Sequence, residues 1–265
     1  MKLTLIITTY NWPESLLLVI ESIKRQTILP DEIIIADDGS TKETKDLINN
    51  FKKDTDLNIV YSWQEDIGFR AARSRNNAIF KSSGDYIVLI DGDTILHNNF
   101  VKDHIANAES GFFVQGSRAL LSKKHTKKAL AEKTVYFPFF SSGLKNRKNS
   151  IHSNLLSSIF SNDKNHLRGI KSCNMAFYKK NCMQINGFNN EFEGWGREDS
   201  EFVVRLINSG VKRKSVRFNA IQFHLWHNKN SRISFERNDA ILDDAINNRI
   251  QWCENGINSI EKNES

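Results

Sequence analysis

The chain is expected to fold as an α/β protein, a single Rossmann-like, mainly parallel sheet flanked by helices on both faces. Three observations predict this. Short apolar runs alternate with stretches whose apolar residues recur at helical spacing. The first such runs end in polar clusters, where ligand sites fall in open α/β sheets. A chain of 265 residues, 39% of them hydrophobic, is long enough for one large domain with a sizeable core.

The elements follow in order. Leu3-Thr4-Leu5-Ile6-Ile7 reads as a buried strand, and Pro13 then stands at a first helical turn ahead of Leu16, Leu17, Ile20 and Ile23. Glu32 to Ala36 repeats the apolar run and ends in Asp37-Asp38-Gly39-Ser40. Ser40 and Glu43 have capping-box spacing for a helix carrying Leu47, Ile48 and Phe51. Asn58 to Trp63 is a third strand, Phe69 to Phe80 a third helix and Tyr86 to Ile90 a fourth strand. This order places Thr8-Thr9-Tyr10, Asp37-Asp38 and Asp91-Asp93 at one rim. From Ser122 to His166 the chain is basic and rich in Ser and Asn, with no clear period except near Val135 to Phe140. It reads as an excursion covering the site or as a partly disordered loop. Patterning resumes at Met175-Ala176-Phe177-Tyr178, and a helix with Phe202, Val203, Leu206 and Ile207 stops at Gly210. After Asn228 the spacing predicts an amphipathic helix around Ile241 to Trp252, then a frayed end.

Composition narrows the function classes. Lys2 is followed only by Leu3 to Ile7 before Thr8 and Thr9, too short for a secretory core, and no apolar run approaches the ~20 residues of a membrane span. A soluble, cytoplasmic protein is expected. Cys173, Cys182 and Cys253 lack metal-type spacing and read as reduced thiols. Neither G-x-G-x-x-G nor G-x-x-x-x-G-K-[ST] occurs, which counts against a dinucleotide-dependent oxidoreductase and a P-loop kinase. The net charge is +6, yet Arg118 to Lys148 alone holds nine basic residues against one acid, Glu132. Two readings of that stretch stand: a solvated charged loop, or contact with anionic lipid headgroups or an acidic acceptor. Nucleic acid is not the expected partner, because zinc-finger spacing and the RNA-recognition aromatic signature are both missing.

The chemistry concentrates in Asp91-Gly92-Asp93, Gly194-Trp195-Gly196-Arg197-Glu198-Asp199 and His224-Leu225-Trp226-His227. An Asp-x-Asp behind an apolar strand offers a cation site, and Asp93 is its first candidate ligand. His224 and His227, three apart, can present both imidazoles to one ion; each could instead be a hydrogen-bonded core histidine. A site with nitrogen ligands accepts Mn2+ more readily than Mg2+. Asp199 is the candidate general base, Glu198 would hold acceptor hydroxyls, and Trp195 offers a flat apolar face to a sugar. The two acids could also simply begin a helix, where negative charge suits the N-terminal dipole.

These motifs, with Thr8-Thr9-Tyr10-Asn11 and Asp37-Asp38-Gly39-Ser40 ahead of them, occur in the order found in family 2 glycosyltransferases of GT-A fold. The chain resembles in particular the N-terminal transferase domain of bacterial chondroitin polymerases, over roughly Leu3 to His227. Trp63-Gln64-Glu65-Asp66 and Cys173-Asn174-Met175 also look like that subgroup, and the Gly-Trp-Gly-x-Glu-Asp element resembles the β-1,4-galactosyltransferases. The resemblance implies a GT-A domain over 1–227, with a nucleotide-sugar-binding half (1–120), an acceptor-binding and catalytic half (121–227), and a C-terminal helical tail (228–265). It implies an inverting transfer of a hexose or N-acetylhexosamine from a UDP-sugar, with Mn2+ or Mg2+, to an oligosaccharide or lipid-linked glycan, giving a β-linkage. Asp38 would accept from uracil, with Thr8 and Tyr10 lining the same pocket. Asp91 would serve the donor ribose and metal-bound water, and Asp93 with His227 the ion, His224 matching by position only. Arg70 and Arg75 would contact the diphosphate or form a solvated helix face, while Trp195 and Gly196 would line the acceptor site. Under the second reading of the basic stretch, a peripheral contact with the inner membrane surface would be added. Two other classes stay open: a non-catalytic glycan- or membrane-surface-binding module, and a nucleotidyltransferase, although the latter's glycine- and lysine-rich phosphate loop is missing near the first strand.

Overall fold

The chain's computed structural model describes residues 1–163, 165–228 and 231–260. In order, these form β1 (Leu3–Thr9), α1 (Pro13–Lys24), β2 (Glu32–Asp37), α2 (Lys42–Lys53), β3 (Ile59–Trp63), α3 (Ala71–Lys81), β4 (Tyr86–Asp91), β5 (Thr94–Leu96), α4 (Phe100–Asn107) and β6 (Phe112–Gln115). There follow β7 (Arg118–Leu121), α5 (Lys123–Glu132), β8 (Leu144–Lys145), α6 (Asn154–Phe160), β9 (Asn174–Tyr178), α7 (Lys179–Gln184), α8 (Glu198–Asn208), β10 (Lys212–Ser215), β11 (Gln222–His224) and α9 (Phe235–Asn247).

Among the described residues, seven strands form one sheet in the order β10-β6-β9-β4-β1-β2-β3. Only β9 runs against the rest, antiparallel to both β4 and β6, so the sheet is mainly parallel as expected. Strand alternation sends Leu3, Leu5 and Ile7 to a core with α1 and α2, and Ile6, Ile34 and Ala36 to a second core with α3 and α8. Burying each such aliphatic side chain is worth about 1.5–3 kcal/mol. Helices on both faces explain why all six residues of β2 are buried. A smaller sheet, β5-β11-β7-β8, packs its own core around Ile95, Leu121 and Phe223. In the register of β1, Thr8 lies beside Asp91 and Thr9 beside Asp37, which brings the polar clusters to one rim.

Four expectations need correction. Ser40 does not cap α2: its hydroxyl accepts from the Asn11 backbone N–H at 2.8 Å, and Thr41 takes the cap position without a side-chain bond. The stretch from Ser122 to His166 is not patternless, since α5 buries Thr126 and Ala129 beneath its lysines. The last helix begins at Phe235 rather than near Ile241, because Asn238 is held to the Gly196 carbonyl at 2.9 Å. Nor is the end frayed as far as residue 260: Cys253, Ile257 and Ile260 are buried, and Ile257 joins the core beside Phe188. Residues 261–265 lie outside the described part.

Candidate active site

The rim is built by backbone before any side chain acts. The Gly92 N–H donates to the Thr8 carbonyl at 2.7 Å, and a Cβ on Gly92 would come within 3.0 Å of Thr9 Oγ1. The turn between the two acids therefore lies flat against β1. The Leu225 N–H donates to the Asp93 carbonyl at 2.9 Å and ties the histidine segment to the same turn. His224 Nε2 then stands 3.4 Å, and His227 Nε2 3.3 Å, from Asp93 Oδ2, with one ligand atom of each residue within 4.8 Å of the others.

The electrostatics suit a cation. Burial pushes the Asp93 carboxyl up to about 8, and the adjacent Asp91 charge adds to the effect. Asp93 Oδ1 is buried with no hydrogen-bond partner among the described residues. Burial first and the Arg118 charge second push His224 down to about 3, so its imidazole is neutral and free to ligate. A carboxylate and two imidazoles form a donor set that fits a divalent ion such as Mn2+.

Asp38 lies next along the rim. It accepts from the Arg70 backbone N–H at 2.8 Å and from Gln64 Nε2 at 2.6 Å, and burial raises its carboxyl to about 6. Tyr10, half exposed, donates to Asp66 at 3.0 Å, while the buried Thr8 hydroxyl has no partner among the described residues. The side chain of Arg70 turns away and donates to the Glu65 carbonyl at 2.5 Å.

Arg75 is buried, which removes the solvated-face reading for this residue. Its guanidinium lies 3.2 Å from Glu198 Oε1 and 3.8 Å from Asp91 Oδ1, joining the donor-side turn to the start of α8. Glu198 and Asp199 open that helix, and Arg197 precedes them in the left-handed region at φ +78°. Burial raises Asp199 to about 7, and the charge of Glu198 adds to the rise while Arg75 opposes it. A carboxyl titrating near neutral pH is matched to proton abstraction. Gly194 has φ +74°, and a Cβ there would sit 2.3 Å from Ser234 Oγ. The loop can thus pass under α9 only as glycine. Trp195 is 38% exposed, stacked on Phe235 at 6.4 Å, with the Arg232 guanidinium 5.7 Å from its ring. Gly196 is buried behind it.

Two contributors escape sequence reasoning. Asp37 is wholly structural, accepting from Tyr61 and from the Ser40 N–H, both at 2.7 Å. Arg118 counts in the sequence only as one charge of a basic run, yet it lies near enough for its charge to oppose the burial that raises both Asp91 and Asp93. The available signal was its position at the start of a strand, which pairs with the strand that ends at His224.

The fold is that of a GT-A glycosyltransferase. The chain belongs to glycosyl transferase family 2, whose profile matches residues 4–170. A second profile, described as the N-terminal domain of galactosyltransferase, matches residues 156–228. Among curated relatives, hyaluronan synthase of Pasteurella multocida is 26% identical over 230 residues, which cover 81% of this chain and 24% of that protein. Chondroitin synthase of Escherichia coli is 26% identical over 245 residues, 84% of this chain and 34% of that one. The chain thus spans about a quarter to a third of the length of these relatives. S. aureus TarS, solved in complex with UDP, superposes with a TM-score of 0.64 at 16% identity, over 91% of this chain and 64% of that one.

Proposed function

We propose that the chain is an inverting, divalent-metal-dependent transferase. It moves a hexose or N-acetylhexosamine from a UDP-sugar to a hydroxyl of a growing bacterial surface glycan of lipopolysaccharide, lipooligosaccharide or capsule type, and forms a β-linkage. One observation carries the reading: Arg75 holds Asp91, on the donor side, against Glu198, beside the base candidate Asp199. Donor and base therefore share one site.

In this reading Asp38 accepts from the uracil ring, with Thr8 and Tyr10 around it. Asp93, His227 and His224 would hold Mn2+ or Mg2+, which when bound supplies Lewis-acid stabilisation of the departing diphosphate. Asp199 takes the proton of the acceptor hydroxyl as it attacks the anomeric carbon. Trp195 and Gly196 line the sugar that carries that hydroxyl. Glu198, positioned by Arg75, holds the acceptor hydroxyls, and its charge adds to the proton affinity of Asp199. The polysaccharide synthases among the relatives support a glycan acceptor, free or lipid-linked. A cytosolic nucleotide sugar places the reaction in the cytoplasm, with peripheral contact at the inner membrane surface through the basic stretch Arg118 to Lys148. No helix of the described residues is long and apolar enough to cross a membrane.

The test is a panel of UDP-sugars with Mn2+, scored by transfer, by hydrolysis and by thermal shift. One donor should stand out and lose its effect in excess chelator. An NMR coupling should show a β-linked product from an α-linked donor. A retained α linkage overturns the single displacement, and silence across the panel favours a binding module.

A further inference from the structure

We infer that the aromatic turn Tyr136 to Phe140, with the cations around it, is the surface that docks this protein on an anionic lipid bilayer. The inference deepens the proposed membrane contact, on which it rests, by assigning it to one face of the molecule.

The turn is anchored from within. Phe137 packs on Phe223 at 5.2 Å between ring centroids. Phe223 alternates in β11 with His224, so the anchored face is the one opposite the candidate metal ligands. The neighbours of Phe137 point outward: Tyr136 is 57% exposed and Phe140 85%. Phe139 lies beside Phe140, and a cavity of about 460 Å³ opens between Tyr136, Phe137, Phe139, Ile151 and the stacked rings of His97 and His152. Large exposed rings gathered at an apolar opening mark an interaction surface.

The charges select the partner. Lys133, Lys145, Arg147 and Lys148 flank the aromatic turn in the sequence, and no acid occurs between Lys133 and Lys148. The guanidinium of Arg147 lies 5.9 Å from the Phe139 ring, and that of Arg25 5.7 Å from the Tyr136 ring. Rings at headgroup depth with cations on the phosphates are the composition of a bilayer interface. The lysines of α5 are a poorer match. Lys123 sits 4.6 Å from the Trp226 ring, next to His227, and Lys128 pairs with Glu132 at 3.8 Å.

The experiment is sedimentation of the full chain with vesicles of phosphatidylcholine, with and without phosphatidylglycerol. Three proteins are compared: wild type, Tyr136→Ser with Phe140→Ser, and Lys123, Lys124, Lys127 and Lys128 all →Gln. Wild type should pellet only with phosphatidylglycerol present. The aromatic variant should lose at least about tenfold in partition. Its melting temperature and its transfer to a soluble acceptor should not change, since both side chains are exposed. The lysine variant should retain most of its binding. Partition lost in the lysine variant but kept in the aromatic one overturns the inference and leaves membrane contact standing. Wild type that pellets with neither vesicle removes membrane contact altogether and leaves the rings to a protein partner. Transfer assayed on the soluble acceptor is independent of both outcomes.

Discussion

Asp199 has two opposing demands on it. A base must be ionised to act, yet burial and Glu198 hold its carboxyl up to about 7. Turnover should therefore rise with pH through about 7 and fall about tenfold per unit well below it, as a pH–rate profile will show. Asp199→Asn should remove turnover by about 10²–10⁴-fold while donor binding stays near wild type, whereas Glu198→Gln should act mainly through the acceptor. The same burial bears on stability. A carboxyl raised in the folded state favours folding below its unfolded value and loses that contribution as pH climbs through about 7. Asp199→Asn should thus melt higher than wild type at pH 8 without ligands, a comparison that calorimetry can make. Asp93→Ala should cost at least about 10²-fold in turnover and abolish the Mn2+-dependent thermal shift. These acids were legible in the sequence because their spacing is local. Arg75 was legible as a diphosphate contact or a solvated face but not as a buried link, since its burial depends on Asp91 and Glu198, which are brought together by the fold.

At the scale of elements, α8 matters most because it begins with the two acids. It is fixed from behind: Arg205, fully buried, donates to Glu201 at 2.6 and 2.8 Å and to the Ile185 carbonyl at 2.6 Å. Arg205→Ala would leave Glu201 buried and uncompensated, at a cost of about 3–5 kcal/mol. For a chain of this size that is a fall in melting temperature of roughly 6–20 °C. Arg205→Met with Glu201→Gln should recover much of it. Apolar periodicity predicted α8 and the first four strands because one face of each packs on a core that needs nothing but hydrophobic residues. The same signal failed for α5, where lysines crowd the exposed face and only Thr126 and Ala129 are buried. The capping-box reading failed because Ser40 is recruited by Asn11 across the rim, a tertiary bond with no local trace.

For the molecule as a whole, the two sides of the site should stiffen together when donor binds. UDP with Mn2+ at about 100 times its dissociation constant contributes about 2.7 kcal/mol, a rise of roughly 5–10 °C in melting temperature. Arg75→Met should reduce that rise by loosening Asp91 from Glu198; an undiminished shift would leave Arg75 with a purely structural part. The sheet's direction was readable from alternation, but its strand order was not. Neighbours in a sheet are chosen by pairings far apart in sequence, and β9 shows what that choice entails. It lies between β4 and β6, so Asn174–Tyr178 must arrive before the edge presented by Tyr86–Asp91 is covered. During synthesis on the ribosome, a nascent chain ending near residue 120 exposes that hydrophobic edge to every other strand nearby. The emerging half should accordingly aggregate when left alone, and its expression as a separate fragment should give inclusion bodies.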